Sequence, residues 1–456
     1  QHIGNLSMFV FTDVLRRALE YNGFKVKQVI NITDFGHLSG DNEGDADAGE
    51  DRMTKGLKRE KLPVTMENMT KLAEKYTTVF IDDLKRLNID TSKIQFPRAS
   101  AYVKAQIAMI QTLMEKGYAY QTAHGVYFDT ARFPEYGKLG GLNLEGQKEG
   151  AGLRQSSAGQ SAHVAINHEK RNPHDFILWK SDKKIGWDSP WGLGFPGWHI
   201  ECSAMIRTIL GEQIDIHTGG IEHIPIHHNN EIAQSEAATG KKPFSRFWLH
   251  RAHIQIEGGK ISKSKGTAVL LSDVIAQGYH PLALRYLFLG AHYRTNANFS
   301  WEALAASQTA FAKLVAIRVH YENIPTGTVP ETWRRKCLER INDDLDTPGA
   351  IAVVWEMIKD KSLTPGDLLA GLLDFDRVFG LNLAHPDEAA RTLAKAELKE
   401  EVALESLPDD IKELVGDREQ ARKERSWDKA DTLRKKIEKK GYLIEDSKDS
   451  LRIFKK

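Results

Sequence analysis

The chain has 456 residues, enough for about three domains with buried cores, and its 41% hydrophobic and 27% charged residues exclude wholesale disorder. Lys and Arg number 63 against 62 Asp and Glu, and this net charge of +1 excludes a uniformly basic nucleic-acid coat. Cys202 and Cys337 are the only cysteines, which excludes a disulfide framework and favours the reducing cytoplasm.

Met8, Phe11, Leu15, Ala18 and Tyr21 recur at helical spacing, Gly23 stops that helix, and residues 25–33 alternate as a strand. Residues 41–51 hold six acidic residues and two glycines and read as an exposed loop. Met69, Leu72, Ala73, Tyr76, Phe80, Leu84 and Leu87 mark a long amphipathic helix, and residues 105–116 a second. From 117 to 188, short aromatic strands such as 125–129 alternate with glycine-rich turns, the texture of an inserted small domain. Strands return at 214–217 and 252–256 between helical patterns, so an interrupted α/β unit resumes. Pro281 to Leu404 reads as a helical bundle. Asp417 to Lys456 carries 14 Lys/Arg against 9 Asp/Glu, a local +5 that leaves −4 for the remainder. No apolar run approaches the roughly 18 residues needed to span a bilayer, so no membrane partner is expected.

Two short segments carry phosphate chemistry. His2-Ile3-Gly4-Asn5 stands at the start of a helix, where unpaired N–H groups and the dipole favour anions; alone it reads more readily as a capping turn. Lys260-Ile261-Ser262-Lys263-Ser264-Lys265-Gly266-Thr267 sets lysines among small hydroxyl residues, suited to closing over a polyphosphate; alone it reads as an exposed lysine-rich loop. Together the two resemble the paired signatures of class I aminoacyl-tRNA synthetases. Gly197 to Met205, with the run Trp198-His199-Ile200-Glu201-Cys202, and His227 to Ser235 are similar to signatures of the cysteinyl-tRNA synthetase family. His227 and Glu231, four apart, fall on one helix face within reach of one metal ion, and Cys202 can supply a thiolate. Outside that context His227 reads as a structural histidine.

The resemblance extends through Asn31-Ile32-Thr33-Asp34, Pro97-Arg98-Ala99-Ser100, Lys170 to Pro173, Asp175 to Lys180 and Ala283-Leu284-Arg285-Tyr286, essentially the whole chain. It implies a Rossmann-like α/β catalytic domain in two halves, 1–116 and 189–250, split by a connective domain at 117–188. A signature-loop segment at 251–300, a helical anticodon-stem bundle at 301–404 and a small mixed α/β anticodon-binding domain at 405–456 follow. The family's zinc is held by two cysteines, a histidine and a glutamate; Cys202, His227 and Glu231 match three of these. The fourth ligand of the family lies upstream of the first signature, so a natural chain longer at its N-terminus, with a first strand absent here, is expected. Asn5 where a second histidine is commonest, Phe35-Gly36-His37 where acidic residues commonly follow, and Glu222 for the usual aspartate are the departures; they bear on how ATP is held.

The implied activity is ATP-dependent activation of L-cysteine to cysteinyl-adenylate and transfer to the 3′ end of tRNA(Cys), by a cytoplasmic monomer. The implied site comprises His2, Asn5, Lys260 and Lys263 in catalysis and His2, Gly4, Asn5, Gly219, Gly220, Glu222 and Lys263 at ATP, with Mg²⁺. Thr33 and Trp198 would contact cysteine and Cys202, His227 and Glu231 hold Zn²⁺. Arg422, Trp427 and Arg434 would contact tRNA, where Trp427 either stacks on a base or packs in a core. A ligase joining cysteine to a sugar amine, which would lack the anticodon-binding terminus, and an inactive tRNA-binding paralogue are the alternatives.

Overall fold

A computed structural model of the chain describes residues 1–35, 52–141, 169–256, 259–260, 269–397, 400–446 and 451–455. The first half contains α1 (Ile3–Tyr21), β1 (Gln28–Val29), α2 (Arg52–Arg59), α3 (Met66–Arg86), β2 (Ile94–Gln95) and α4 (Val103–Glu115). Strands β3 (Ala119–Gln121), β4 (Gly125–Phe128), β5 (Phe176–Ser181) and β6 (Gly194–Pro196) form one antiparallel sheet in that order. The α/β pattern resumes with α5 (Trp198–Ile209), β7 (Ile214–Gly220), α6 (Asn229–Thr239), β8 (Ser245–Arg251), β9 (Ile254–Ile256), β10 (Gly259–Lys260), α7 (Leu271–Ala276), α8 (Pro281–Leu289) and β11 (Ala297–Phe299). Helices α9 (Trp301–His320), α10 (Glu331–Asn342), α11 (Thr347–Ile358), α12 (Pro365–Phe379) and α13 (Glu388–Glu397) make the bundle. The last unit is β12 (Glu400–Glu401), α14 (Asp409–Lys423), α15 (Trp427–Lys439), β13 (Tyr442–Asp446) and β14 (Leu451–Lys455).

The pairs β1–β2, β7–β8 and β9–β11 are all parallel, the signature of strands joined through helical crossovers. The strand expected over 25–33 shortens to Gln28–Val29 plus one bridge from Ile32 to Arg98, because its partner β2 is itself only two residues long. Strand β11 interrupts the stretch from Pro281 that reads as nearly all helical; three residues are too few to show a period. The acidic loop at 41–51 lies outside the described residues. Among the described residues no helix is long and apolar enough to cross a membrane.

Apolar packing divides the molecule. One core runs from Ile3, Leu6 and Val10 of α1 through Leu284 and Phe311 to Ala394 of α13. A second joins α4, α5 and α6 to the four-stranded sheet through Ile110, Phe128, Leu178 and Ile200. The C-terminal unit has its own core of Leu407, Ile411, Val415, Ile437, Ile444 and Ile453.

At the centre of the first core Arg285 is fully buried, and its guanidinium is fully engaged. Nε donates to the Phe379 carbonyl at 2.6 Å, Nη1 to the Leu87 carbonyl at 2.8 Å and Nη2 to Asp13 Oδ2 at 2.6 Å. One planar fork thus joins α1 to the C-terminal ends of α3 and α12. Burial works to raise Asp13, but the surrounding Arg285, Arg17 and Arg16 hold its carboxyl below the usual range. Arg285→Ala is expected to cost about 3–5 kcal/mol, the range for breaking a buried pair. Arg285→Lys should recover only part of that, since an ammonium cannot reproduce the fork. An unchanged thermal midpoint in Arg285→Ala would refute the clamp.

Candidate active site

Helix α1 begins where its N-terminus can be pinned. His2 is the cap residue, its Nδ1 accepting from the Asn5 amide at 3.2 Å, and Asn5 Nδ2 donates to Gln1 Oε1 at 3.0 Å. No acidic residue occupies the first turn, so nothing on the helix itself neutralises the positive end of the dipole. Outside the helix, Ile3 donates its N–H to the Val269 carbonyl at 2.9 Å and Leu271 donates to the Gln1 carbonyl at 3.2 Å. The first signature is therefore bonded through the main chain to the residues just after the second, of which 261–268 lie outside the described residues. Lys260 is placed by its backbone in β10, paired with Gln255, whereas Lys263 lies outside the described residues.

Beside this junction is a cleft of about 450 Å³ lined by Asn5, Thr33, Trp198, Cys202, His227 and Glu231 among others. Trp198 opens α5 and Cys202 follows one turn later, so both reach the same side. The chain before α6 makes a single π turn, Ile224–His228, which departs from the regular helix expected there. His227 ends up with its ring 4.4 Å from that of Trp198 and its Nε2 2.8 Å from Glu231 Oε1. The second oxygen of Glu231 contacts His217 Nε2.

Cys202, His227 and Glu231 are all buried, and their donor atoms lie within 4.8 Å of one another. Glu231 Oε1, although close to His227, makes no aligned hydrogen bond, so two donor atoms converge without satisfying each other. Burial, then the negative Glu231 and Glu201, push the Cys202 thiol well above its usual range. Burial works to raise Glu231 too, but His217 and His227 hold its carboxyl well below the usual range. A soft, a borderline and a hard donor converging in a buried, acid-rich pocket suit a divalent cation, which would relieve the carboxylates and favour the thiolate.

Sequence reasoning overlooked part of this wall. Asn31 Nδ2 lies 3.1 Å from Thr33 Oγ1 and 3.6 Å from Cys202 Sγ, tying the cleft's two sides together. Asp34 accepts from the Ser100 N–H at 2.9 Å and Oγ at 2.6 Å, so the Asn31–Asp34 and Pro97–Ser100 runs are bonded to each other. His217, His223 and His228 also line the cleft; their clustering around Gly219 and Gly220 was the available signal. A Cβ at Gly219 would sit 2.6 Å from the His228 ring, and one at Gly220 2.2 Å from Glu222 Oε2. Glycine is what lets those side chains fold back over the end of β7. Gly219, Gly220 and Glu222 flank the cleft rather than line it, as do His2 and Gly4; Glu222 Oε2 stands 3.5 Å from His253 Nδ1.

The tRNA candidates lie in the C-terminal unit. Trp427 is 59% exposed at the start of α15, which removes the reading of it as a core residue. Arg422 is 3.5 Å from Glu419 and Arg434 3.2 Å from Glu438, both on solvent-facing helix surfaces.

Comparison with known proteins matches residues 1–309 to the catalytic domain of class I (C) tRNA synthetases and residues 404–453 to the cysteinyl-tRNA ligase anticodon binding domain. The chain is 40% identical over 459 residues to cysteine-tRNA ligase 1 of Burkholderia lata, covering 99% of this chain and 89% of that protein. It is 36% identical to cysteine-tRNA ligase of Treponema denticola (98% and 90% covered) and 37% to that of Thermus thermophilus (99% and 91%). The fold is shared with methionyl-tRNA synthetase of Mycobacterium tuberculosis bound by methionyl-adenylate, at a TM-score of 0.54 and 13% identity over 86% of this chain and 90% of that one. An anticodon-binding terminus is what a ligase for sugar amines would lack. The chain therefore belongs to the cysteinyl-tRNA ligase family and is a class I aminoacyl-tRNA synthetase, activating L-cysteine with ATP and transferring it to tRNA.

Proposed function

We propose that the cleft is the cysteine-activating site, with Cys202, His227 and Glu231 as ligands of a zinc ion. The observation that carries this reading is the buried convergence of those three donors in the same cleft as Thr33 and Trp198. Zinc bound there supplies a position that takes a thiolate and discriminates against serine's alcohol, a distinction that a merely shape-matched pocket makes poorly. Trp198, packed on the His227 ring, shields that end from water, and Thr33, steadied by Asn31, offers a polar edge for the amino acid.

Activation needs no side-chain nucleophile: the cysteine carboxylate attacks the α-phosphorus of ATP, and pyrophosphate leaves. The chain's task is positioning and charge stabilisation. The uncompensated N-terminus of α1, capped by His2 and flanked by Asn5, takes the phosphates, with Gly4 allowing close approach. Glu222, beyond Gly219 and Gly220, accepts from the ribose hydroxyls, and Mg²⁺ enters with ATP. Lys260 and Lys263 meet the charge that develops as pyrophosphate departs. In the second step the terminal ribose hydroxyl of tRNA(Cys) attacks the adenylate carbonyl and AMP leaves, while Arg422, Trp427 and Arg434 contact the anticodon region. We take the enzyme to work in the cytoplasm, where its tRNA partner is used, and to act as a monomer.

Three outcomes are expected. Cys202→Ala should lose zinc by elemental analysis and lose cysteine-dependent pyrophosphate exchange; full zinc retention would sink the ligand assignment. Lys263→Ala should slow exchange about 100-fold or more, the usual effect of removing one contact to developing charge, with little change in cysteine affinity. An unchanged rate would leave that loop without a catalytic role. A chain ending before Glu400 removes the whole C-terminal sheet, including β12, and should spare exchange while weakening tRNA charging and flattening the salt dependence of tRNA affinity. Loss of exchange in the truncated form would show that the unit is required for the catalytic fold.

A further inference from the structure

Arg251 closes strand β8 and is 5% exposed, as deeply buried a cation as most of the apolar core. Unlike Arg285, it has no hydrogen-bond or ion-pair partner among the described residues. Its Nε and Nη2 are buried without a hydrogen bond, and among the described residues it makes no ion pair. Burial lowers its pKa to about 10 and no carboxylate offsets that effect, so the group still carries its full charge at neutral pH. An uncompensated guanidinium among apolar side chains is a costly arrangement that demands an explanation.

Arg251 lines a narrow, partly open cavity of about 20 Å³ whose wall also includes Ser7, Phe11, Val14, Phe288, Tyr293 and Thr347. That volume exceeds the roughly 10–15 Å³ that one water-sized particle needs, and is far too small for phosphate, sulfate or a carboxylic acid. The hydroxyls in the wall are committed elsewhere: Ser7 Oγ donates to the Gly4 carbonyl at 2.7 Å and Thr347 Oγ1 to the Leu289 carbonyl at 2.8 Å. The unsatisfied donors are therefore those of Arg251 itself. A water molecule would accept hydrogen bonds but leave the charge unbalanced, whereas a monatomic anion meets both requirements.

We propose that this cavity is a buried halide site in which one chloride ion accepts hydrogen bonds from Arg251 Nε and Nη2. The ion would neutralise the charge beneath α1, the helix whose N-terminus borders the active cleft. It is a structural ligand, independent of cysteine, ATP and zinc.

The test uses the full chain in sodium chloride or sodium gluconate at equal ionic strength, gluconate being too large to enter. Chloride should raise the thermal midpoint by about 2–4 °C with saturating dependence, and Arg251→Met should show no such difference between the two salts. Equal midpoints in the wild type, or a chloride effect that persists in Arg251→Met, would overturn the proposal. Should Arg251→Met fail to fold, crystals grown in bromide decide: an anomalous peak within hydrogen-bond distance of Arg251 supports the site, and a water there without anomalous signal refutes it.

Discussion

The buried bond between Arg285 and Asp13 is the constraint on which the site's geometry hangs. Asp13 lies mid-way along α1, three turns below the residues that cap it. Arg285 ties it to carbonyls at the ends of α3 and α12, and Arg17 adds a bond to the Asn88 carbonyl at 2.7 Å. Gly380 makes this approach feasible twice over. Its φ of +65° suits a residue without a side chain, and a Cβ there would meet Arg285 Nη2 at 2.5 Å. Two helix ends thus give their surplus carbonyls to guanidinium groups, and α1 is fixed in both direction and depth.

With α1 fixed, the cleft acquires two chemically opposite sides. One is the positive helix end near Gln1 and Asn5, with no acidic residue in its first turn. The other is the buried set of Glu231, Cys202 and their histidines, which suits a cation. On the reading proposed above, a substrate with a thiol at one end and a carboxylate awaiting a phosphate at the other would lie across such a cleft in only one sense. Orientation here follows from electrostatics before any individual contact is considered.

Much of this could be read from residue order. Periodicity located α1, α3 and α4 because each buries one stripe against a core, and the spacing of His227 and Glu231 indicated their meeting. The signature runs indicated Cys202, Thr33 and Trp198. What escaped were the features that depend on what lies across a contact. Asp13 and Arg285 are 272 residues apart, and a charged residue on an amphipathic helix ordinarily implies solvent. Arg251 ends a strand and looked equally unremarkable. The π turn before α6 leaves no periodic trace because it is a single turn, and Asn31 belonged to a quoted run without any hint that its amide would reach Cys202.

The cores also divide the chain differently from its motifs. Sequence patterning separates a catalytic region from a helical bundle, yet α1, α8 and the helices through α13 share one continuous apolar core. The four-stranded sheet instead shares a second core with α4, α5 and α6 of the catalytic halves, and the C-terminal unit closes one of its own. Cooperativity follows shared burial rather than motif boundaries, so a disturbance at Phe375 or Leu372 of α12 acts on the same packed body that holds the helix bordering the cleft. Among the described residues the C-terminal unit that carries Trp427 shares no apolar core with that body. Within that body α12 and α1 meet at the Arg285 clamp, so packing in the bundle and the position of the helix bordering the cleft are set together.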